Sequence, residues 1–381
     1  MKRKIAYITG SRADYGIIKT VLKAIKLEKN LELEIIATGM HLMNEFGMTV
    51  NDIIGDGYQV HKLEVTYEND SRESMALFIG DLIKELTYKI KEIHPDIILL
   101  LGDRGEMLAG AIVGVYLGIP VAHIHGGEVT ETVDEYARHA ITKLSNIHFP
   151  ATEESRKRII KMGENTSNVF VVGAPGLDEA LSGPFYSSEE LSKKYGLDIS
   201  KPLIIIALHP VSENIDGASI QMRHTLEAIK ELGYPAIVIY PNSDAGGREM
   251  IKVIKEFENI PYIKTFKNIQ RKEFLSLLKI SAVIVGNSSS GIIEAPSFGI
   301  PTVNIGNRQA GRERGDSIID VDYDKAKIME KIKKSIEDQN FRGHIKTADN
   351  LYGDGKSGEK IANILATINL NEKILRKKLS Y

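Results

Sequence analysis

The chain has 381 residues, more than one ordinary core accommodates, so two domains are expected. Lys and Arg number 49 against 51 Asp and Glu, and the net charge of -2 gives nucleic acid no general footing as a partner. There is no cysteine, which excludes disulfides, thiol nucleophiles and thiolate metal sites.

The basic start at Met1–Lys4 leads into an apolar run far too short for a signal peptide. No later run approaches a membrane span, so a cytoplasmic protein with no membrane partner is expected. Ile5–Thr9 reads as a strand, Gly10–Gly16 as a polar turn and Ile17–Leu27 as a helix. This is a βα unit with its turn at the carboxyl edge of a parallel sheet, where Arg12 either meets a phosphate or lies on the surface. Leu31–Ala37 is a second strand, ending at Thr38-Gly39-Met40-His41. Ser74–Ile93 is a long amphipathic helix closed by Pro95.

Asp96–Leu101 is a central strand by its apolar run and ends in Gly102-Asp103-Arg104-Gly105-Glu106. Asp103 either caps the helix Met107–Leu117 or serves a site. Val121–Ile124 ends in His125-Gly126-Gly127-Glu128, and the double glycine reads as room for a ligand at the backbone rather than as a packing need. Glu131, Asp134, Glu135, Arg138 and His139 follow, helical from Asp134. Carboxylates and a histidine in one crevice suit proton transfer, because crowded acids separate one another's pKa values. An acidic helix start complementing the dipole is the plainer alternative. No His-x-x-x-His spacing supports a metal. Val169–Val172 reads as the last strand of this half, and Gly173–Pro184 as the composition break.

The alternation then restarts. Leu203–Leu208 ends at His209-Pro210, Ala236–Ile239 runs into Tyr240–Asp244 with Asn242, and Tyr262-Ile263 is short. Ala282–Val285 ends at Gly286, and a helix is expected from about Gly291, capped by Asn287, Ser288, Ser289 and Ser290. A helix start is an anion site, but its dipole supplies only about 0.3–1 kcal/mol, so hydroxyls and an arginine must add to it. Glu294 falls in the first turns of that helix, on the side a ribose would reach. Ile300–Gly306 is another strand, followed at once by Arg308, Arg312 and Arg314, and cations at adjacent strand ends suit a diphosphate. Glu330–Glu337 and Gly358–Ile368 read as terminal helices. The fold class is α/β, two Rossmann-like domains facing a cleft. The domains are expected at 1–178 and 179–358, with a helix at about 359–381 packing back on the first. Neither half carries Gly-x-Gly-x-x-Gly after its first strand and no Walker sequence occurs, so NAD and ATP lose support.

The series Ser11–Tyr15, Thr38–His41, Gly102–Arg104, His125–Glu128, Asp134-Glu135 with Arg138–Lys143, His209-Pro210, Asn287–Gly291 and Arg308–Arg312 resembles the hydrolysing UDP-N-acetylglucosamine 2-epimerases of sialic and legionaminic acid pathways. It covers nearly the whole chain, in order. The resemblance implies a glycosyltransferase-B type fold with UDP held mainly by the second domain. It implies no cofactor, neither metal nor nicotinamide. A homo-oligomer, dimer or tetramer, is expected, with the apolar faces of the Ser74–Ile93 and Met107–Leu117 helices as candidate contacts. Residue by residue, it implies UDP-sugar binding at Arg12, His41, Arg104, His209, Asn242, Ser288, Ser289, Glu294 and Arg308. It places the chemistry at Asp103, His125, Glu128, Asp134, Glu135, Arg138 and His209. His125 stands where some relatives have glutamate, so the proton role falls to its imidazole or to Asp103, Glu128 or Asp134. Lys252 and Lys255 stand where some members carry arginines of a feedback site, and lysine loses the forked geometry, so that regulation is not expected. The implied reaction takes UDP-N-acetylglucosamine to N-acetylmannosamine plus UDP through a 2-acetamidoglucal. Alternatives are the same reaction on UDP-N,N'-diacetylbacillosamine, a UDP-sugar-dependent glycosyltransferase, or a non-catalytic UDP-sugar sensor.

Overall fold

A computed structural model describes residues 2–67, 72–129, 133–211, 217–241 and 246–379. The chain divides into two compact units, Met1–Glu179 together with Tyr352–Tyr381, and Ala180–Leu351. The first runs β1 (Arg3–Thr9), α1 (Arg12–Leu27), β2 (Leu31–Ala37), α2 (Val50–Gly55), β3 (Val60–Lys62), α3 (Arg72–Ile93), β4 (Ile97–Leu101), α4 (Gly105–Leu117), β5 (Val121–Ile124), α5 (Val133–Leu144), β6 (Ile147–Phe149) and α6 (Glu153–Lys161). Its sheet is parallel throughout, in the order β3-β2-β1-β4-β5-β6. Every residue of β4 is buried, as a strand covered by helices on both faces requires.

The chain continues through α7 (Pro175–Ser182), α8 (Ser188–Tyr195), β7 (Ile204–Ala207), α9 (Ala218–Leu232), β8 (Ala236–Ile239), α10 (Gly247–Glu256), β9 (Ile263–Phe266), α11 (Arg271–Ile280), β10 (Val283–Gly286), α12 (Ser290–Ile293), β11 (Thr302–Ile305), β12 (Ile318–Val321), α13 (Lys325–Glu337) and α14 (Gln339–Thr347). The second sheet is again parallel, in the order β12-β11-β10-β7-β8-β9. Counted from its own first strand, this repeats the order of the first sheet. The order reverses between β1 and β4, and between β7 and β10. In doubly wound sheets the carboxyl ends at such a reversal are where ligands lie.

The chain returns to the first unit through α15 (Ser357–Thr367) and α16 (Glu372–Leu375). Ile361, Ala362, Leu365 and Ile374 join Ile18, Leu22 and Ile25 of α1 in its core. Asp178 accepts from the backbone N–H of Ser357 at 2.9 Å and of Gly358 at 2.6 Å, which satisfies the start of α15.

Several elements differ from the sequence reading. Val169–Val172 is not a strand: Val169 makes one isolated bridge to His148, and the last strand is Ile147–Phe149. The short strands β3, β6 and β12 are not in the sequence reading. The helix expected from about Gly291 is a single turn, α12, followed by a 3₁₀ turn over Ala295–Phe298. Pro296 has no N–H to continue the α-helical ladder. Glu294 therefore caps the end of α12 rather than sitting in its first turns, and a one-turn helix has little dipole to offer an anion. Among the described residues no helix is long and apolar enough to cross a membrane.

Candidate functional site

In the first unit, polar side chains gather at the carboxyl ends of β4 and β5. Asp103 does not cap α4, whose N-cap is Arg104 without a side-chain bond. Instead it accepts from Nη2 of Arg138, on α5. Arg138 is 5% exposed and also donates Nη1 to Glu128 Oε2 at 3.0 Å and to the His125 carbonyl at 3.4 Å. Glu128 Oε1 in turn meets Nδ1 of His125. One guanidinium thus ties two strand ends together. Burial works against its charge, and Glu128 and Asp103 more than restore it, so its pKa is raised.

The turn after β5 is shaped for this network. His125 has φ 63, a left-handed conformation that side chains seldom adopt, and its N–H donates to the Phe149 carbonyl at 3.1 Å. Gly127 has φ 76, and a side chain there would overlap the Ser155 backbone of α6. A Cβ on Gly126 would lie 2.9 Å from both His123 Nδ1 and Thr142 Oγ1. Both glycines are therefore packing requirements, which corrects their reading as room for a ligand. Behind them, His123 Nε2 donates to the Gly102 carbonyl at 2.7 Å and Nδ1 accepts from Thr142 Oγ1 at 3.2 Å. Burial lowers the His123 pKa to about 3, so it is a neutral brace. On α5, His139 Nε2 lies 3.3 Å from Glu135 Oε1. Asp134 belongs to the same helix, but its side chain lies outside the described residues, as do Glu131 and Asn242.

At the β1 end a second buried set forms the wall. Asp14 accepts from Gly10 N at 3.0 Å, Ser11 N at 3.1 Å and Thr9 Oγ1 at 3.0 Å. Burial raises its pKa. His41 is 0% exposed, with Nε2 at 3.0 Å from Thr9 Oγ1 and Nδ1 at 2.8 Å from Thr49 Oγ1. Burial lowers its pKa. His41, expected to touch substrate, has no exposed surface and packs against Thr9 and Asp14. Arg104 forks onto Glu106, Nε at 3.2 Å and Nη2 at 3.1 Å. Glu106 is 1% exposed and fits against Gly10 and Gly39, where side chains would crowd it. Arg12 is largely exposed, 3.7 Å from Asp52.

In the second unit, Asn287 joins the ends of β7 and β10. Its Oδ1 accepts from His209 N at 2.7 Å and its Nδ2 donates to His209 O at 2.9 Å. Its carbonyl accepts from Arg308 Nη1 at 3.2 Å and Gln309 Nε2 at 2.8 Å. Gly286, φ 137, is pressed against the Ala207 backbone, where no side chain fits. Ser288 and Ser289 follow, half-buried. Glu294 is 6% exposed and accepts from Arg271 Nη2 at 2.7 Å. Arg314, expected among the diphosphate cations, is committed to Asp320 and to the Gln309 carbonyl at 2.7 Å.

Asp103, His125, Glu128 and Arg138 thus form one network. His209, Asn287, Ser288 and Arg308 form a second set in their own unit. Glu106 and Arg271 were missed. Glu106 was visible as a carboxylate two residues beyond Arg104, but nothing local marks Arg271 as the partner of Glu294.

The UDP-N-acetylglucosamine 2-epimerase family model matches residues 23–366. The chain is 42% identical, over the full length of both, to a hydrolysing UDP-N,N'-diacetylbacillosamine 2-epimerase of Legionella pneumophila. It is 35% identical to a UDP-N-acetylglucosamine 2-epimerase of Neisseria meningitidis, over 95% of each chain. Among solved structures, a Neisseria meningitidis UDP-GlcNAc 2-epimerase bound to UDP-GlcNAc shares the fold with TM-score 0.79 at 19% identity, covering 95% of this chain and 99% of that one. The two Rossmann-like units are accordingly of the glycosyltransferase-B type. The chain belongs to the UDP-N-acetylglucosamine 2-epimerase family, among enzymes whose near relatives are hydrolysing UDP-sugar 2-epimerases.

Proposed function

We propose that this protein is a hydrolysing 2-epimerase that converts a UDP-2-acetamido sugar to the free 2-epimeric sugar and UDP. The observation that carries the reading is the Arg138 bridge, which holds two carboxylates and, through Glu128, an imidazole at adjacent strand ends. A C2–H bond is a weak acid, so a base and an acid must be held within hydrogen-bond reach of it. In the first step a base takes the C2 proton, that electron pair forms the C1=C2 bond, and the C1–O bond breaks with its pair leaving on UDP. In the second, water gives hydroxyl to C1 of the 2-acetamidoglucal, and a proton arrives on the opposite face of C2. Asp103 and Glu128, with Asp134 and Glu135 on α5, supply the carboxylates. His125, joined through Nδ1 to Glu128, supplies the imidazole of this set.

Charge building on the departing diphosphate needs donors already in place. Ser288, Ser289, His209 and Arg308 are assigned that task in the second unit, and Arg12 and Arg104 are assigned to UDP-sugar binding in the first. Glu294, oriented by Arg271, takes ribose hydroxyls with its remaining acceptor capacity. The 42% identity to the Legionella enzyme favours UDP-N,N'-diacetylbacillosamine as substrate. The 35% identity to the Neisseria enzyme supports UDP-N-acetylglucosamine as a second reading.

Proton NMR in heavy water, with each UDP-sugar in turn, tests both. The expected products are UDP and a free 2-epimeric sugar with deuterium at C2. A 2-epimer still attached to UDP would replace the reading with the non-hydrolysing reaction. UDP release that requires an added acceptor would replace it with transfer. Faster turnover of UDP-N-acetylglucosamine would select the second substrate.

A further inference from the structure

The second unit holds a cavity of about 660 Å³ that none of the residues given roles above lines. It opens beside the carboxyl ends of β11 and β12, with α9 and α13 as walls. Three neutral polar ends meet there. Gln221 of α9 is 4% exposed, lines the cavity, and its side-chain oxygen has no hydrogen-bond partner among the described residues. Buried amides rarely go unmet, and rotation of the terminal amide can present either its oxygen or its NH₂. Tyr323 is the second. Its carbonyl accepts from His224 Nδ1 at 2.8 Å, and its ring leans over Gly306, φ 74, where a side chain would collide with the hydroxyl. Gly306 and Tyr323 both line the cavity, and the absent side chain at Gly306 leaves the space that hydroxyl occupies. The third is the exposed amide of Asn307.

The charged groups of the lining are already matched. Lys327 Nζ lies 3.4 Å from Asp322, Lys331 Nζ lies 2.8 Å from Glu330, and Asp320 accepts from Asn304 at 2.7 Å and from Arg314. Among the described residues of the lining no uncompensated charge is left to call for an ion. A set of amides and a phenol, with an aromatic ring and several hydrogen-bonding directions, suits a neutral polyhydroxylated ligand. We propose that this cavity is a binding site for a neutral pyranose sugar, whose hydroxyl or acetamido groups engage Gln221, Tyr323 and Asn307. The site stands on these contacts and not on the reaction, so either assignment can fail without the other.

Saturation-transfer NMR on the full chain tests it, with N-acetylmannosamine and N-acetylglucosamine as neutral probes and glucuronate as the anionic comparison. A neutral sugar is expected to receive saturation in a dose-dependent, saturable way, with UDP present as well as absent. Gln221→Leu should weaken that binding about tenfold or more, and Tyr323→Phe, which removes one hydroxyl and disturbs no packing, roughly threefold or more. Absence of transfer to either neutral probe, transfer to glucuronate alone, or affinities unchanged in both variants would overturn the assignment.

Discussion

Arg138 reaches Asp103 across 35 positions and Glu128 across ten, and only a guanidinium can serve both at once. Its planar fork offers separate N–H groups to two carboxylates, whereas a lysine offers one point charge. Arg138→Lys should therefore keep the positive charge but lose the joint orientation of Asp103 and Glu128. Turnover should fall about a hundredfold or more, as for loss of a placed acid or base, with UDP affinity within about twofold of wild type. Steady-state kinetics with a UDP titration separates the two. A loss confined to KM would remove Arg138 from the chemistry. The sequence named each member of this network because each follows a strand or lies early in a helix. It left open whether Asp103 capped α4, since capping and ion pairing use the same residue types. His41 is named on the same ground, as a polar residue just past a strand, but its 0% exposure and its contacts with Thr9 and Thr49 depend on partners that no local pattern marks.

Elements were legible where periodicity ran long. The helix read from Ser74 begins at Arg72, within the usual fraying of a boundary. Strands of three or four residues at sheet edges carry too few positions for alternation to register, and β3, β6 and β12 were missed for that reason. Val169–Val172 misled because its apolar run is only partly covered, with Val171 40% exposed beside the edge strand β6. The β5–α5 turn was found, but the reason for its glycines was not, because the Ser155 carbonyl that Gly127 faces belongs to a later helix. Gly127→Ala should cost about 2–4 kcal/mol, combining a left-handed φ with overpacking. Gly118→Ala makes the comparison: φ is 69 but a Cβ there meets nothing within 4 Å, so about 1–2 kcal/mol is expected. Urea unfolding of both variants measures the difference. Equal costs would mean that conformation alone, not the contact with α6, requires Gly127.

Over the whole molecule, the repeated strand order follows from the β/α alternation that the sequence displays twice. The contacts made by the last residues do not follow from any pattern. Lys377 donates to the carbonyls of Thr142 at 3.1 Å, Lys143 at 2.6 Å and Ser145 at 2.5 Å, closing the end of α5. It also lies 2.6 Å from Glu164, which Lys143 and His148 contact at 2.5 and 3.2 Å. The end of the chain thereby helps to fix the helix that carries Arg138. Burial brings the Lys377 pKa down to about 8, against the pull of Glu164. Burial opposes the charge of Glu164 as well, but hydrogen bonds from His148, Lys143 and Lys377 win and hold its pKa at about 2, below its ordinary 4.5. A carboxylate depressed in the folded state contributes stability that is present above its unfolded pKa and is lost as pH falls through the folded one. The contribution of Glu164 should therefore be full above pH 4.5 and decline toward pH 2, with a total on the order of 3 kcal/mol. Thermal unfolding of wild type and Glu164→Gln across that range tests it. The gap between them should be wide at neutral pH and narrow as the wild-type carboxylate is protonated, whereas a gap independent of pH would show that Glu164 acts by packing and not by its charge.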